Sequence, residues 1–348
     1  MMSDFTNEVN LAKNIVFVDG MWGSGKSILG PLISCFRRTE KMYMEHIYEY
    51  LCVLKHYNTI DLEACRSLLR IHADLALFNT MISREVNFRP TDDSGILNNA
   101  KAFQYVRRLF KGDGNNIVEE IDKKNPILHI MSHHILQVCQ PLFDTFGEAL
   151  RLVVMVRHPV YMINHWYSYI DRIGTDRREF TLQIKYKNKI LPWFCKGWED
   201  DYISQPSRMD RVILSIDKIT KANESAINSL SHENKKQVLK IPFEHLVKNP
   251  WPYIDQLSIF LNDHPTWELK RILKRQKVPR KYISSGRGHK SYGWSSKAAK
   301  MSDREDLQTR IHKIEIEASS SQFERLMQLA KQYETQYNTI NSISKVTQ

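Results

Sequence analysis

No run of about eighteen apolar residues occurs anywhere in the 348-residue chain, so no membrane-spanning helix is expected. The opening stretch, MMSDFTNEVNLAKN, is polar and has no apolar segment of signal-peptide length. The five cysteines (35, 52, 65, 139 and 195) are odd in number and scattered, with no C-x-x-C. That argues against a disulfide framework and fits reduced thiols in a cytoplasmic compartment. No internal repeat and no low-complexity tract is present. Acidic residues are fewer than basic ones, 39 against 50, which leaves a net charge of +11. The shortage is local: from Lys270 to Lys300 there are eleven Lys or Arg and no Asp or Glu. Such a run attracts anions, and it also reads as a solvated basic face or a nucleic-acid patch. A hydrophobic fraction of 42% is ordinary for a globular chain and allows one large α/β core or two modest ones.

What is present begins at Asn14. Four apolar, mostly β-branched residues, Ile15 to Val18, predict a short buried strand. A turn with glycines at 20, 23 and 25 follows, then Lys26-Ser27, then Ile28, Leu29, Leu32, Ile33 and Phe36 at helical spacing. Gly20 to Ser27 fits G-x-x-x-x-G-K-[ST] at every fixed position. Strand, glycine turn and helix is the geometry that cradles a phosphate, with backbone N–H groups and the helix N-terminus facing the anion. Lys26 can reach a terminal phosphoryl or sulfuryl oxygen. Pro31 falls in the second helical turn and predicts a bent or short first helix.

Two more apolar runs read as strands of the same sheet. Pro126 to Met131 leads into Ser132-His133-His134, and Leu150 to Val156 leads into Arg157-His158-Pro159. Helices are expected over about 135–146 and 160–170. Short apolar strands flanked by helices argue for a parallel sheet with helical crossovers, whose ligands gather at the carboxyl ends of the strands. The phosphate loop, Ser132-His133 and Arg157 are therefore expected on one rim. An arginine ending a buried strand pairs with a carboxylate or a ligand anion, and the anion is the favoured reading here. His129, His133 and His134 alternate in direction along a strand and its end, so a shared metal is not expected.

Between the first strand and these two, the spacing predicts helices over 43–54, 60–88 and 98–111, with a loop over 89–98. This is an all-helical insertion in which a substrate lid could sit. Glu45 and His46 are read there as residues of a half-buried helix in preference to a cleft. Further on, 176–200 reads as a helix and loop whose aromatic residues are core. Arg211 to Asp217 reads as an apolar strand ending in an acid. Ser302 with Glu305 has capping-box spacing, and two helices are expected from there to about 337, with the last ten residues frayed.

In this order, the stretches resemble sulfotransferases that use 3′-phosphoadenosine 5′-phosphosulfate. The resemblance covers about residues 14–60 and 125–296. It rests on the phosphate loop, the strand ending in Arg157-His158-Pro159, VLKIPFEHLVKNPWPYIDQLSIFL from Val238, and PRKYISSGRGHKSYGW from Pro279. Met131-Ser132-His133 falls where many members have Lys-Thr-His. The resemblance implies that Gly23, Ser24, Gly25, Lys26 and Ser27 hold the 5′-phosphosulfate and that Arg157 binds the 3′-phosphate. It implies His133 as the base, with Lys26 supplying charge to the reacting group. Arg287, Gly288 and Lys290 would close on the donor, and Trp22 could stack on its adenine. Three positions depart from the family pattern. The loop lysine is Lys26 where members carry a threonine, His165 (with Ser168 one turn on) replaces a serine, and Met131 replaces a lysine.

The expectation is one α/β domain over 1–301 with a P-loop-type parallel sheet, a helical insertion at about 40–115, and a C-terminal helical extension at 302–348. The function expected is a cytoplasmic sulfotransferase that needs no metal. Its acceptor is a small molecule or glycan bearing a hydroxyl or amine, with an anionic acceptor among the options. Two alternatives stand beside it. One is an ATP-dependent P-loop kinase or NTPase, in which Asp217 would bind Mg²⁺ and Ser27 would ligate the metal. The other, less favoured, is a non-catalytic nucleic-acid-binding protein using the basic run.

Overall fold

The computed structural model describes residues 6, 8–90, 92, 94–111, 114–286 and 301–337. The predicted apolar runs are strands. In chain order these are β1 (Ile15–Asp19), β2 (Tyr43–Met44), β3 (Leu128–Met131), β4 (Leu150–Val156), β5 (Gln183–Tyr186), β6 (Lys189–Pro192) and β7 (Val238–Pro242). Five of them form one parallel sheet in the order β2-β3-β1-β4-β7. All five residues of β1 are buried, as expected of a central strand covered on both faces. Val18 lies beside Met131 on one side and Val153 on the other, so three strand ends reach the same rim.

Alternation along the strands divides the core into two layers. Ile15, Phe17, Leu152 and Val154 point into the larger one. Val16, Val18, Val153 and Met155 point into the other. The helices in chain order are α1 (Lys26–Ile33), α2 (Ile47–His56), α3 (Leu62–Met81), α4 (Ala102–Arg108), α5 (Ile117–Lys124), α6 (Gln140–Phe146) and α7 (Pro159–Tyr169). They continue as α8 (Glu199–Ile203), α9 (Arg208–Ser229), α10 (His232–Lys236), α11 (Phe243–Lys248), α12 (Trp251–Leu261), α13 (Glu268–Arg275), α14 (Asp303–Glu317) and α15 (Ser320–Tyr337). α1 is short, as Pro31 dictates. The Ser302–Glu305 capping box opens α14. Ile314, Leu326 and Leu329 of α14 and α15 enter the larger core layer, so these helices close it and do not stand apart from it. The frayed end expected beyond 337 lies outside the described residues.

Three expectations are corrected. Arg211 to Asp217 is helical: it belongs to α9, which Ser207 caps by accepting from the Asp210 N–H. Its apolar positions are buried on several sides (Val212, Ile213, Leu214 and Ile216 are all buried), which fills in the 3.6-residue pattern and mimics a buried strand. The 176–200 stretch contains an antiparallel hairpin, β5–β6, turned by Lys187 and Asn188, both at positive φ. The insertion is not all helical, since Tyr43–Met44 adds the edge strand β2 beside β3.

Candidate functional site

The loop after β1 is shaped by what its glycines permit. Gly25 sits at φ +94° as the residue before α1, and a Cβ there would come within 2.3 Å of the Phe243 ring. Gly23, at φ +79°, lets the loop lie against Met162 and His165 of α7. The first N–H groups of a helix have no partner within it, and no side chain caps α1. Ser24 is buried and its hydroxyl has no hydrogen-bond partner. Ser27, in the first turn, is half-buried.

Lys26 begins α1 and turns back under the loop. Its ammonium donates to the Gly20 carbonyl at 2.5 Å and lies 3.5 Å from the His133 carbonyl. Burial brings its pKa down to about 8 against the opposing pull of Asp19 and Glu49. Both carboxylates are buried beneath it. Asp19 accepts from Ser132 Oγ at 2.9 Å and from the Leu136 N–H at 3.0 Å, tying the end of β1 to the end of β3. Glu49, from α2, accepts from Trp193 Nε1 at 2.9 Å. Burial pushes its carboxyl up to about 7.

His133 follows β3 on the same rim and is half-buried. Its ring stacks on His46 with centroids 5.3 Å apart and planes 20° apart. Burial and the Lys26 charge hold its pKa well below the ordinary histidine value, so the ring is neutral. His46, assigned from sequence to a half-buried helix, thus borders the site. His134 points the other way, into a box formed by Trp22, Trp166 and Phe194, with neither ring nitrogen hydrogen-bonded. Trp22 is a wall of that box. It is 5% exposed and also packs on Tyr169, so the structure places it in the core and not beside an open surface on which adenine could stack.

Arg157 leaves the end of β4 and donates from Nη1 to the Gly23 carbonyl at 2.8 Å. Its guanidinium lies 4.1 Å from the Phe243 ring centre, its Nε is buried without a partner, and burial lowers its pKa. Among the described residues no carboxylate comes within 4.0 Å of it. His165 of α7 stacks on Tyr169 at 6.0 Å beside the loop. The Ser168 hydroxyl is turned inward to the His165 carbonyl at 2.9 Å. Arg287, Gly288 and Lys290 lie outside the described residues.

Several site residues were not singled out from the sequence. Arg280 lies within the acid-free run and sits 5.6 Å from the same Phe243 ring, so two guanidiniums border one phenyl ring. Its donors are held by the carbonyls of Gln276, Lys277 and Ile283, and burial together with the Arg157 charge brings its pKa to about 10. Glu244 accepts from the His158 N–H at 3.1 Å and from Tyr333 of α15 at 2.7 Å. A signal for Arg280 and Phe243 existed in the basic run and in the stretch from Val238. Asp19, Glu49 and Tyr333 carried none, because each acts through a distant contact. Asp217 is not on this rim. It is buried on α9 and paired with Lys221 at 2.8 Å and Arg325 at 3.0 Å, so the acid proposed for a kinase metal is engaged elsewhere.

No family model and no curated protein matches the chain. Among solved structures, the chain is similar to the sulfotransferase domain from the Synechococcus PCC 7002 olefin synthase, at 14% identity and a TM-score of 0.42, with 95% of this chain and 98% of that one covered. It is similar to the sulfotransferase domain from the curacin biosynthetic pathway at 14% identity and a TM-score of 0.40, covering 92% and 97%. It is also similar to a mouse sulfotransferase, SULT7A1, complexed with PAP, at 11% identity and a TM-score of 0.35, covering 91% and 89%.

Proposed function

We propose that the chain is a sulfotransferase that moves a sulfuryl group from 3′-phosphoadenosine 5′-phosphosulfate to a hydroxyl or amine acceptor. The observation that carries this reading is a pair of cations that meet at one loop. Lys26 and Arg157 are both largely withdrawn from water and bonded to backbone carbonyls, Lys26 to Gly20 and His133 and Arg157 to Gly23. Among the described residues, neither has a carboxylate within 4.0 Å. A desolvated cation without a paired anion is costly, and two of them, one opening α1 and one following β4, fit a ligand with two separate anionic groups. Arg157, with its orphaned Nε, suits the 3′-phosphate. Lys26, Gly23, Ser24, Gly25 and Ser27 suit the 5′-phosphosulfate. His165 would assist Arg157, and Arg287 with Gly288 would close over the donor. Trp22 keeps a role behind the loop and not in an adenine stack.

The chemistry asked of these residues is modest. The donor supplies an electrophilic sulfur with a nucleotide leaving group. A ring nitrogen of the neutral His133 takes the acceptor proton as the new S–O or S–N bond forms and the bond to the 5′-phosphate breaks. Lys26 and the loop amides hold the charge on the departing phosphate without reorganising. His46 fixes the plane of the His133 ring by stacking on it. An anionic acceptor, such as an acidic glycan, would be drawn by the acid-free basic run from Lys270 to Lys300.

Thermal melting with adenosine 3′,5′-bisphosphate, against ATP with and without Mg²⁺, tests the reading. A rise with the bisphosphate that needs no metal is expected. A rise only with Mg²⁺-ATP would overturn it in favour of a kinase that uses the Ser27 hydroxyl on the metal.

A further inference from the structure

Two stretches at the surface are rich in cations and poor in acids, and they are joined to each other. The first, Gly95 to Lys111, has no Asp or Glu and includes α4. The second is α13, whose single acid, Glu268, accepts from the Thr266 hydroxyl. Arg271 of α13 donates to the Asn99 carbonyl at 3.4 Å, and Arg275 donates to the Leu97 carbonyl and to Asn98 Oδ1.

α4 is buried on one side only. Tyr105 and Arg108 face inward onto Glu40. The outer side shows Phe103 and Val106, with Phe110 just past the helix end and Arg107 beside them. Phe103 is 80% exposed and Phe110 is 85% exposed. Leu97 and Leu109 are exposed as well. Scattered exposed apolar residues are ordinary, but a cluster of this kind marks an interaction surface.

α13 is built the same way. Leu269, Ile272 and Leu273 are buried. Trp267, Lys270, Lys274 and Lys277 recur at helical spacing on the opposite, exposed side, and Trp267 is 79% exposed. The three lysines and Trp251 of α12 line a shallow groove of about 370 Å³. Among the described residues, none of these lysine side chains is hydrogen-bonded or ion-paired. Elsewhere Lys124, Lys221 and Lys236 each have an acid one turn away on their own helix. Like charges one turn apart destabilise a helix, and an anionic surface relieves them. The neighbouring α12 adds one exposed acid, Asp255, which leaves the cations in excess.

We propose that α4 and α13 form a docking face for an anionic lipid bilayer. The lysines and Arg107 meet the headgroups, and Phe103, Phe110 and Trp267 enter the boundary with the acyl chains. A nucleic acid would satisfy the lysines but offers nothing to Leu97, Val106 and Leu109. The face lies on the bilayer and does not cross it, since no described helix is long and apolar enough to span one. It also lies away from the phosphate loop. α1 begins at that loop, and its far end meets this side of the molecule, where Phe36 bridges to Pro265 and the Phe36 carbonyl accepts from Lys101 at 2.6 Å. The proposal does not rest on the functional reading above.

Co-sedimentation of the full chain with lipid vesicles tests it. Vesicles of phosphatidylcholine with about 30% phosphatidylserine should bind the chain, pure phosphatidylcholine should not, and about 0.5 M salt should release it. Phe103→Ser with Phe110→Ser, and separately Lys270→Glu with Lys274→Glu, should each weaken binding by at least about tenfold without changing the melting temperature. Ile316→Ser, on the exposed side of α14, should leave binding as it is. Absence of binding, equal binding to both lipid compositions, or full binding by either double variant would overturn the proposal. Loss in the lysine variant alone, with equal affinity for a single-stranded oligonucleotide, would mark a nucleic-acid surface and overturn it. A dimer in sedimentation velocity that Phe103→Ser dissociates would show that a second copy covers the face, and would also overturn it.

Discussion

Arg108 and Arg157 are the same residue in two opposite situations. Arg108, on α4, is 3% exposed and forms a two-pronged pair with Glu40 at 2.7 and 3.0 Å, with a further bond to the Thr80 carbonyl at 3.2 Å. Tyr105 completes Glu40 at 2.7 Å. Burial alone would raise the Glu40 carboxyl, but Arg108 and Tyr105 outweigh it and hold it below its ordinary range. Arg157 has one loop carbonyl, an aromatic face and an unpaired Nε. The first arginine is neutralised inside the fold and ties the end of α4 to the segment before β2. The second is left with an unpaired donor, which in the proposed reading a ligand anion would take.

Breaking the satisfied pair should have the largest effect. Arg108→Leu leaves Glu40 buried without its ion-pair partner, and should cost about 3–5 kcal/mol in urea denaturation. The protein that remains folded should bind adenosine 3′,5′-bisphosphate as before. Lys26→Met should act in the reverse sense. Turnover should fall by about 10²–10³-fold, while the melting temperature holds or rises because a desolvated ammonium is gone.

Glu49 gives a pH signature with a defined sign. Its folded pKa is raised to about 7, so between about pH 4.5 and 7 the native state holds a proton that the unfolded chain has released. Stability should therefore fall with rising pH across that window, by about 3 kcal/mol. Glu49→Gln keeps the acceptor for Trp193 and should flatten the slope in denaturation curves at pH 5, 6 and 7. Lys26 works oppositely, adding stability as pH rises from about 8 toward 10.5. The smallest effect is expected at Ser168→Ala, within about 0.5 kcal/mol and with unchanged bisphosphate affinity, because that hydroxyl is bonded within its own helix.

Much of the fold was legible because β1, β3 and β4 are short, mostly apolar segments separated by helical stretches. The same reasoning failed on α9. A helix buried on several sides shows no polar stripe, and Val212 to Ile216 then looks like a strand. The β5–β6 hairpin was missed because its turn is Lys187-Asn188 and lacks the expected glycine. At the proposed site, only the placement of the loop, His133 and Arg157 after β1, β3 and β4 followed from order and spacing. Trp22 was misplaced because its position beside the loop says nothing of the aromatic residues that enclose it. Glu49 and Tyr333 were invisible because their partners lie 144 and 89 residues away.

The central claim is that the Arg157 charge is held for a 3′-phosphate. Titration calorimetry of wild type and Arg157→Ala, each with adenosine 3′,5′-bisphosphate and with adenosine 5′-phosphate, tests it most directly. The account predicts that wild type prefers the bisphosphate by about 10–100-fold, the worth of hydrogen bonds to a charged group, and that the variant loses the preference while binding the monophosphate as before. A variant that still distinguishes the two ligands as wild type does would contradict it.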